Sequence, residues 1–136
     1  MYRLDRERLG ASAVVAMAAG GLGVIYLLDP DASDLYPTCP FLAITGLYCP
    51  GCGTLRALHQ LTRGHPLAAL DLNPLMMLLL PFIAYYLASH ATLAVTGRPL
   101  KTFFVKPVFI WVLLGTFLVY WLLRNIPAYP FTLLAP

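Results

Sequence analysis

Apolar residues fill three stretches that hold no acidic, lysine or arginine residue: Leu9 to Leu28, Pro74 to Val95 and Pro107 to Leu123. The first is 20 residues long, which at 1.5 Å per residue covers a hydrocarbon core of about 30 Å. The third is shorter, and Phe103, Phe104 and Val105 extend it if Lys106 snorkels to the interface. The pattern predicts three spanning helices, over about 9–28, 74–95 and 104–123. Between the first two lies a polar loop, 29–73, opened by the breaker cluster Asp29-Pro30-Asp31-Ala32-Ser33-Asp34.

Within that loop, Thr54 to Arg63 reads as a short helix. Leu55, Leu58 and Leu61 fall on one face, Arg56, Gln60 and Arg63 on the other, and Gly64 makes a stop. It is too short to span, so it lies in the interface or dips into the bundle as a re-entrant element. Asn73 suits an N-cap with Pro74 in the first helical turn, and Pro81 predicts a kink in the second span. Ser12, Ala16 and Gly20 recur at four-residue spacing, a small-residue face for packing against the protein's other helices. The expected fold is an all-α integral membrane protein: one domain, 1–136, of three transmembrane helices plus a short helix after a Cys-rich turn.

Composition supports this reading. Hydrophobic residues make up 60% of the 136 and charged ones 11%, against about 25% charged in soluble domains. No basic run carries interleaved aromatics, so nucleic acid is not an expected partner and the lipid bilayer is. Arg3, Arg6 and Arg8 lie before the first span, and Arg98, Lys101 and Lys106 lie between the second and third. The loop 29–73 holds Asp29, Asp31, Asp34 and Asp71 against Arg56 and Arg63. The positive-inside rule then places the N-terminus in the cytoplasm and the Cys loop and C-terminus outside. The first run exceeds a signal-peptide core of about 7–15 residues and lacks an A-x-A site, which favours a retained helix.

Candidate chemistry is concentrated in the loop. Cys49-Pro50-Gly51-Cys52 precedes a helix, where a thiolate is stabilised and disulfide exchange is favoured, and Cys39 supplies a third thiol. Cys39, Cys49 and Cys52 are therefore the candidate catalytic thiols. The same pair also suits a structural disulfide, the expected state of a proximal pair outside the cytoplasm. A zinc site needs four N or S ligands; Cys39, Cys49 and Cys52 with His59 supply them, and His65 is nearby, although the spacing matches no standard finger. A third option uses Gly51, Gly53, Thr54 and Arg56 as a small-residue turn with a cation behind it, able to hold an anionic lipid headgroup; a solvated Arg56, or one paired with Asp71, is the plainer alternative. His90, inside the second span, is read as reaching interfacial water. A redox catalyst would need a quinone or flavin partner, and no motif names a cofactor.

The segments Cys39-Pro40-Phe41, Thr45-Gly46-Leu47-Tyr48-Cys49-Pro50-Gly51-Cys52-Gly53, Thr54, Arg56-Ala57 and Asn73-Pro74 resemble the pattern of a group of small bacterial membrane proteins, the domain of unknown function 2752. The tail Trp121-Leu122-Leu123-Arg124-Asn125-Ile126-Pro127, with Tyr129-Pro130-Phe131, is similar too, so the resemblance runs from about Cys39 to the end. This chain sets Leu55 between Thr54 and Arg56, where the family usually joins threonine to arginine. The resemblance implies a protein of the bacterial cytoplasmic membrane with no assigned activity. Its Cys loop is then expected to be a structural or thiol-redox site and a docking surface for a membrane partner. The alternatives are a Cys/His zinc loop and an accessory subunit that binds anionic lipid.

Overall fold

The computed structural model describes residues 2–33, 36, 39–101 and 107–135, with side chains from Asp5 onward. All regular structure among them is helical: α1 (Tyr2–Leu27), α2 (Pro40–Thr45), α3 (Thr54–Thr62), α4 (Pro66–Leu72), α5 (Pro74–Thr96), α6 (Pro107–Arg124) and a 3-10 turn over Phe131–Leu134. Three helices are long and apolar enough to cross a membrane, Asp5–Leu27, Pro74–Thr96 and Pro107–Arg124. Many of their large apolar side chains face outward, among them Leu9, Met17, Ile83, Trp111 and Val119. Such surfaces are stable in hydrocarbon, where a helix satisfies its own backbone. The chain is a membrane protein. The extension of the third span through Phe103–Val105 lies outside the described residues.

α1 starts earlier than its apolar run because Arg6, Glu7 and Arg8 are good helix formers. α5 begins as its sequence predicts: Asn73 Oδ1 accepts from the Met76 amide at 2.9 Å, and Pro74 needs no donor in the first turn. It runs on through Pro81 and ends at Gly97, which takes a left-handed φ of 74° that costs glycine nothing. α1 lies along α5. Arg8 joins their ends, Nε donating to Ala94 O and Nη2 to Val95 O, each at 3.1 Å. The start of α1 and the end of α5 are thus at the same end of the molecule. His90 is satisfied inside its own helix, with Nδ1 3.0 Å from Tyr86 O.

At the other end the loop is more structured than its sequence predicts. α3 and α4 form a helical hairpin, turned at Gly64 with φ 82° and restarted by Pro66. Ala57 and Ala69, both fully buried, let the two helices close, and Met76 of α5 completes that core with Leu58, Leu61 and Leu72. Leu55, expected on the same face, instead lines a cavity beside the cysteines. The opposite side of α3 covers the end of α1: His59 Nδ1–H donates to Ile25 O at 2.6 Å and Arg63 Nη2 to Tyr26 O at 3.0 Å. Arg63 also stacks over the Tyr26 ring at 4.5 Å. Cationic and N–H groups at a helix C-terminus satisfy its last carbonyls and oppose its dipole. The hairpin is pinned to both α1 and α5, which gives the cysteine turn ahead of it a rigid base.

Candidate functional site

Cys39 precedes α2, and Cys49 and Cys52 flank the turn that leads into α3. The return from α2 is made at Gly46, φ 70°, and the entry to α3 at Gly53, φ 82°, two positions where a side chain would be strained. Their combined effect is to bring three sulfur atoms together. Cys39 Sγ and Cys49 Sγ are 3.4 Å apart, Cys49 Sγ and Cys52 Sγ 3.1 Å, and all three lie within 4.8 Å of one another. A disulfide requires about 2.03–2.05 Å, so the expected cystine is not formed and all three cysteines are free thiols.

The turn is held from behind by side chains that are distant in sequence but meet in space. Asn73, 1% exposed, uses its Nδ2 as donor to Pro50 O (3.1 Å), Cys52 O (3.3 Å) and Thr54 Oγ1 (3.0 Å). Arg124 Nη2 donates to Cys52 O at 2.8 Å, and Nη1 reaches Pro50 O at 3.4 Å and Cys49 O at 3.5 Å. Asn125 brackets Tyr48, its Oδ1 accepting from the Tyr48 amide at 2.8 Å and its Nδ2 donating to Tyr48 O at 2.9 Å. Read from sequence, Asn73 is only a helix cap and Arg124 and Asn125 only a helix end. The available signal was one arginine at the tip of an otherwise uncharged helix, with the paired polar sites Asn73-Pro74 and Arg124-Asn125 at the same end of two spans.

The metal set expected from sequence needs correction. His59 is buried at 6% exposure, and its Nδ1 is engaged with α1 rather than with the thiols. His65 is exposed and lies 3.2 Å from Gln60 Oε1. Among the described residues the metal-competent group is Cys39, Cys49 and Cys52 alone. Accordingly, His59→Ala is expected to lower stability by about 1–2 kcal/mol through the orphaned carbonyl while leaving metal stoichiometry unchanged, as read by denaturant unfolding and elemental analysis.

The four residues read as an anion site, Gly51, Gly53, Thr54 and Arg56, do line, with the three cysteines, a cavity of about 410 Å³. Two of them have other partners. Thr54 Oγ1 accepts from Asn73, and Arg56 pairs with Asp31 at 3.5 Å rather than with Asp71. Pro30, Asp31 and Tyr36 also line it.

The thiols differ in acidity. The amides of Leu42 and Phe41 at the start of α2, with the neighbouring thiols, hold Cys39 below the usual thiol range. Burial, and the Cys49 thiol beside it, push Cys52 up to about 12, against the opposing pull of the Cys49 amide. In metal-free protein, iodoacetamide at neutral pH is expected to modify Cys39 well before Cys52, with the Cys52 rate still rising as pH climbs toward about 12. The sign carries over to folding. Cys52 contributes stability that is complete below its unfolded value of roughly 8.5 and is lost as pH rises toward the folded one. The Cys39 contribution is present above that unfolded value and lost as pH falls through its lowered one. Peptide mass spectrometry of the alkylated sites across pH checks the order; equal rates at Cys39 and Cys52 would contradict it.

Residues 39–87 match the family model described as a protein of unknown function (DUF2752). The match starts at Cys39 and takes in the three thiols, the α3–α4 hairpin and Asn73 before stopping within α5, so the similar tail around Arg124 lies beyond it. No curated protein and no solved structure matches the chain. Through the segment that builds its cysteine turn and hairpin, the chain is similar to the DUF2752 family of unknown function.

Proposed function

We propose that this membrane protein is a metal-thiolate protein, in which Cys39, Cys49 and Cys52 hold a thiophilic cation, with zinc the first choice, at the outer surface of a bacterial cytoplasmic membrane. The observation that carries this reading is the convergence of three free thiols within 4.8 Å. Zinc binds thiolate sulfur at about 2.3 Å, so two sulfurs on one tetrahedral ion lie about 3.8 Å apart. The observed 3.1 and 3.4 Å need only small outward shifts to reach that spacing. A disulfide would require one of the pairs to close by about 1 Å.

Three protein ligands with a cavity in front describe a zinc centre whose fourth position is open to water or an exchangeable ligand. Asp31, Arg56 and Tyr36 on the cavity walls would meet whatever enters. The positive charges of Arg6, Arg8, Arg98 and Lys101 support the outward orientation, since the start of α1 and the end of α5 lie together at the opposite end from the turn. The deciding experiment is elemental analysis with thiol counting on the full chain purified in mild detergent. About one zinc per chain, released as the thiols become reactive, is the expected result. One disulfide with one free thiol and no metal would overturn it.

A further inference from the structure

Arg124 is 2% exposed at the end of a membrane-spanning helix, yet among the described residues none of its hydrogen-bond partners is a carboxylate. Its guanidinium meets the carbonyls of Cys49, Pro50, Cys52 and Leu72 and the Tyr120 hydroxyl, the last at 3.1 Å. Nε is buried with no hydrogen-bond partner among the described residues. The rings of Tyr120 and Tyr48 lie 5.4 and 5.9 Å from its centre. Burying a cation without a counter-charge costs several kcal/mol, and bonds to neutral carbonyls recover only part of that. A neutral side chain suffices to clamp this turn, because Asn73 and Asn125 already do so from the same helix ends. Clamping alone therefore does not account for the charge.

We propose that Arg124 is a charge-balancing residue: its cation lies behind the turn to offset the net negative charge that the three thiolates keep when they hold a metal ion. The inference rests on the metal-thiolate reading. Three thiolates on a divalent ion leave one net negative charge, and on a monovalent ion two. Arg124 touches the carbonyls of both Cys49 and Cys52, so it is within one residue of two of the ligands. An anionic centre at the mouth of the turn and a cation at its base would neutralise each other across a dry, low-dielectric layer, where such pairs interact most strongly.

The test uses full-length protein in detergent, zinc ion as the probe and a chromophoric chelator as competitor. Arg124→Lys is expected to keep zinc affinity within about threefold of wild type, and Arg124→Gln, which can still donate to the carbonyls, to lose about tenfold or more. A second variant leaves Arg124 in place: Tyr120→Glu puts a carboxylate one helical turn before Arg124, at the i, i+4 spacing of a helical ion pair. In protein that remains folded it is expected to weaken zinc binding by a similar factor. A structural clamp predicts the opposite split, with Lys no better than Gln and no loss of affinity in Tyr120→Glu. Should Arg124→Gln fail to fold, Tyr120→Glu decides alone, and unchanged zinc affinity in it overturns the proposal. Wild-type protein that binds no zinc would sink the metal-thiolate reading and this inference with it, whereas wild-type binding with normal affinity in the variants would sink the inference alone.

Discussion

Asn73→Ala is expected to destabilise the protein by about 2–3 kcal/mol and to weaken zinc binding on the order of 10–100-fold. One side chain joins two structures. Its Oδ1 caps α5 through the Met76 amide, while its Nδ2 fixes the backbone of the turn at Pro50 and Cys52 and the hydroxyl of Thr54. Losing the cap costs about 1 kcal/mol. The rest comes from the buried donors and acceptors left without partners, partly spared because Arg124 still reaches Pro50 O and Cys52 O. Asn73→Ser separates the two roles, since serine caps a helix well but is too short to reach the turn. It should recover much of the stability and little of the zinc affinity. Denaturant unfolding paired with chelator competition measures both; recovery of both together would show that the turn does not depend on Asn73.

The second large effect is linkage between metal and folding. Free zinc at about 1,000 times its dissociation constant is expected to add about 4 kcal/mol to the unfolding free energy. Cys52→Ser should abolish that increment while altering the metal-free protein far less, because the Cys52 thiol is buried against its fellow thiols and not in the α3–α4 core. Thermal unfolding with and without chelator reads the difference. A wild-type melting curve that ignores both zinc and chelator would remove the metal from the account of this site.

The spans were legible because membrane insertion is decided by composition over a window of about 20 residues, a property of the chain and not of its neighbours. The stop of α3 and the start of α5 were legible for a similar reason, since Gly64, Asn73 and Pro74 act within one turn of their own helix. α4 was missed: Pro66 to Leu72 is too short for its periodicity to register, and it is helical because α3 packs on it through Ala57 and Ala69. His59 was misplaced for the complementary reason. Spacing allowed it near the thiols, but the rotation of α3 against α1 carries its ring to Ile25.

Sequence by itself determined that this is a helical membrane protein, that its thiols share one loop, and where that loop begins and ends. Tertiary structure alone decided what the loop contains. It left the thiols unpaired, because the turn at Gly53 and the clamp from Asn73 hold Cys49 and Cys52 at 3.1 Å. It brought Cys39 to them through the left-handed return at Gly46. It also drew Arg124, 72 residues from Cys52 in sequence, against the back of the turn. Local pattern records what a residue prefers. Which buried charge faces which ligand depends on how two distant helix ends meet, and no window of sequence contains both.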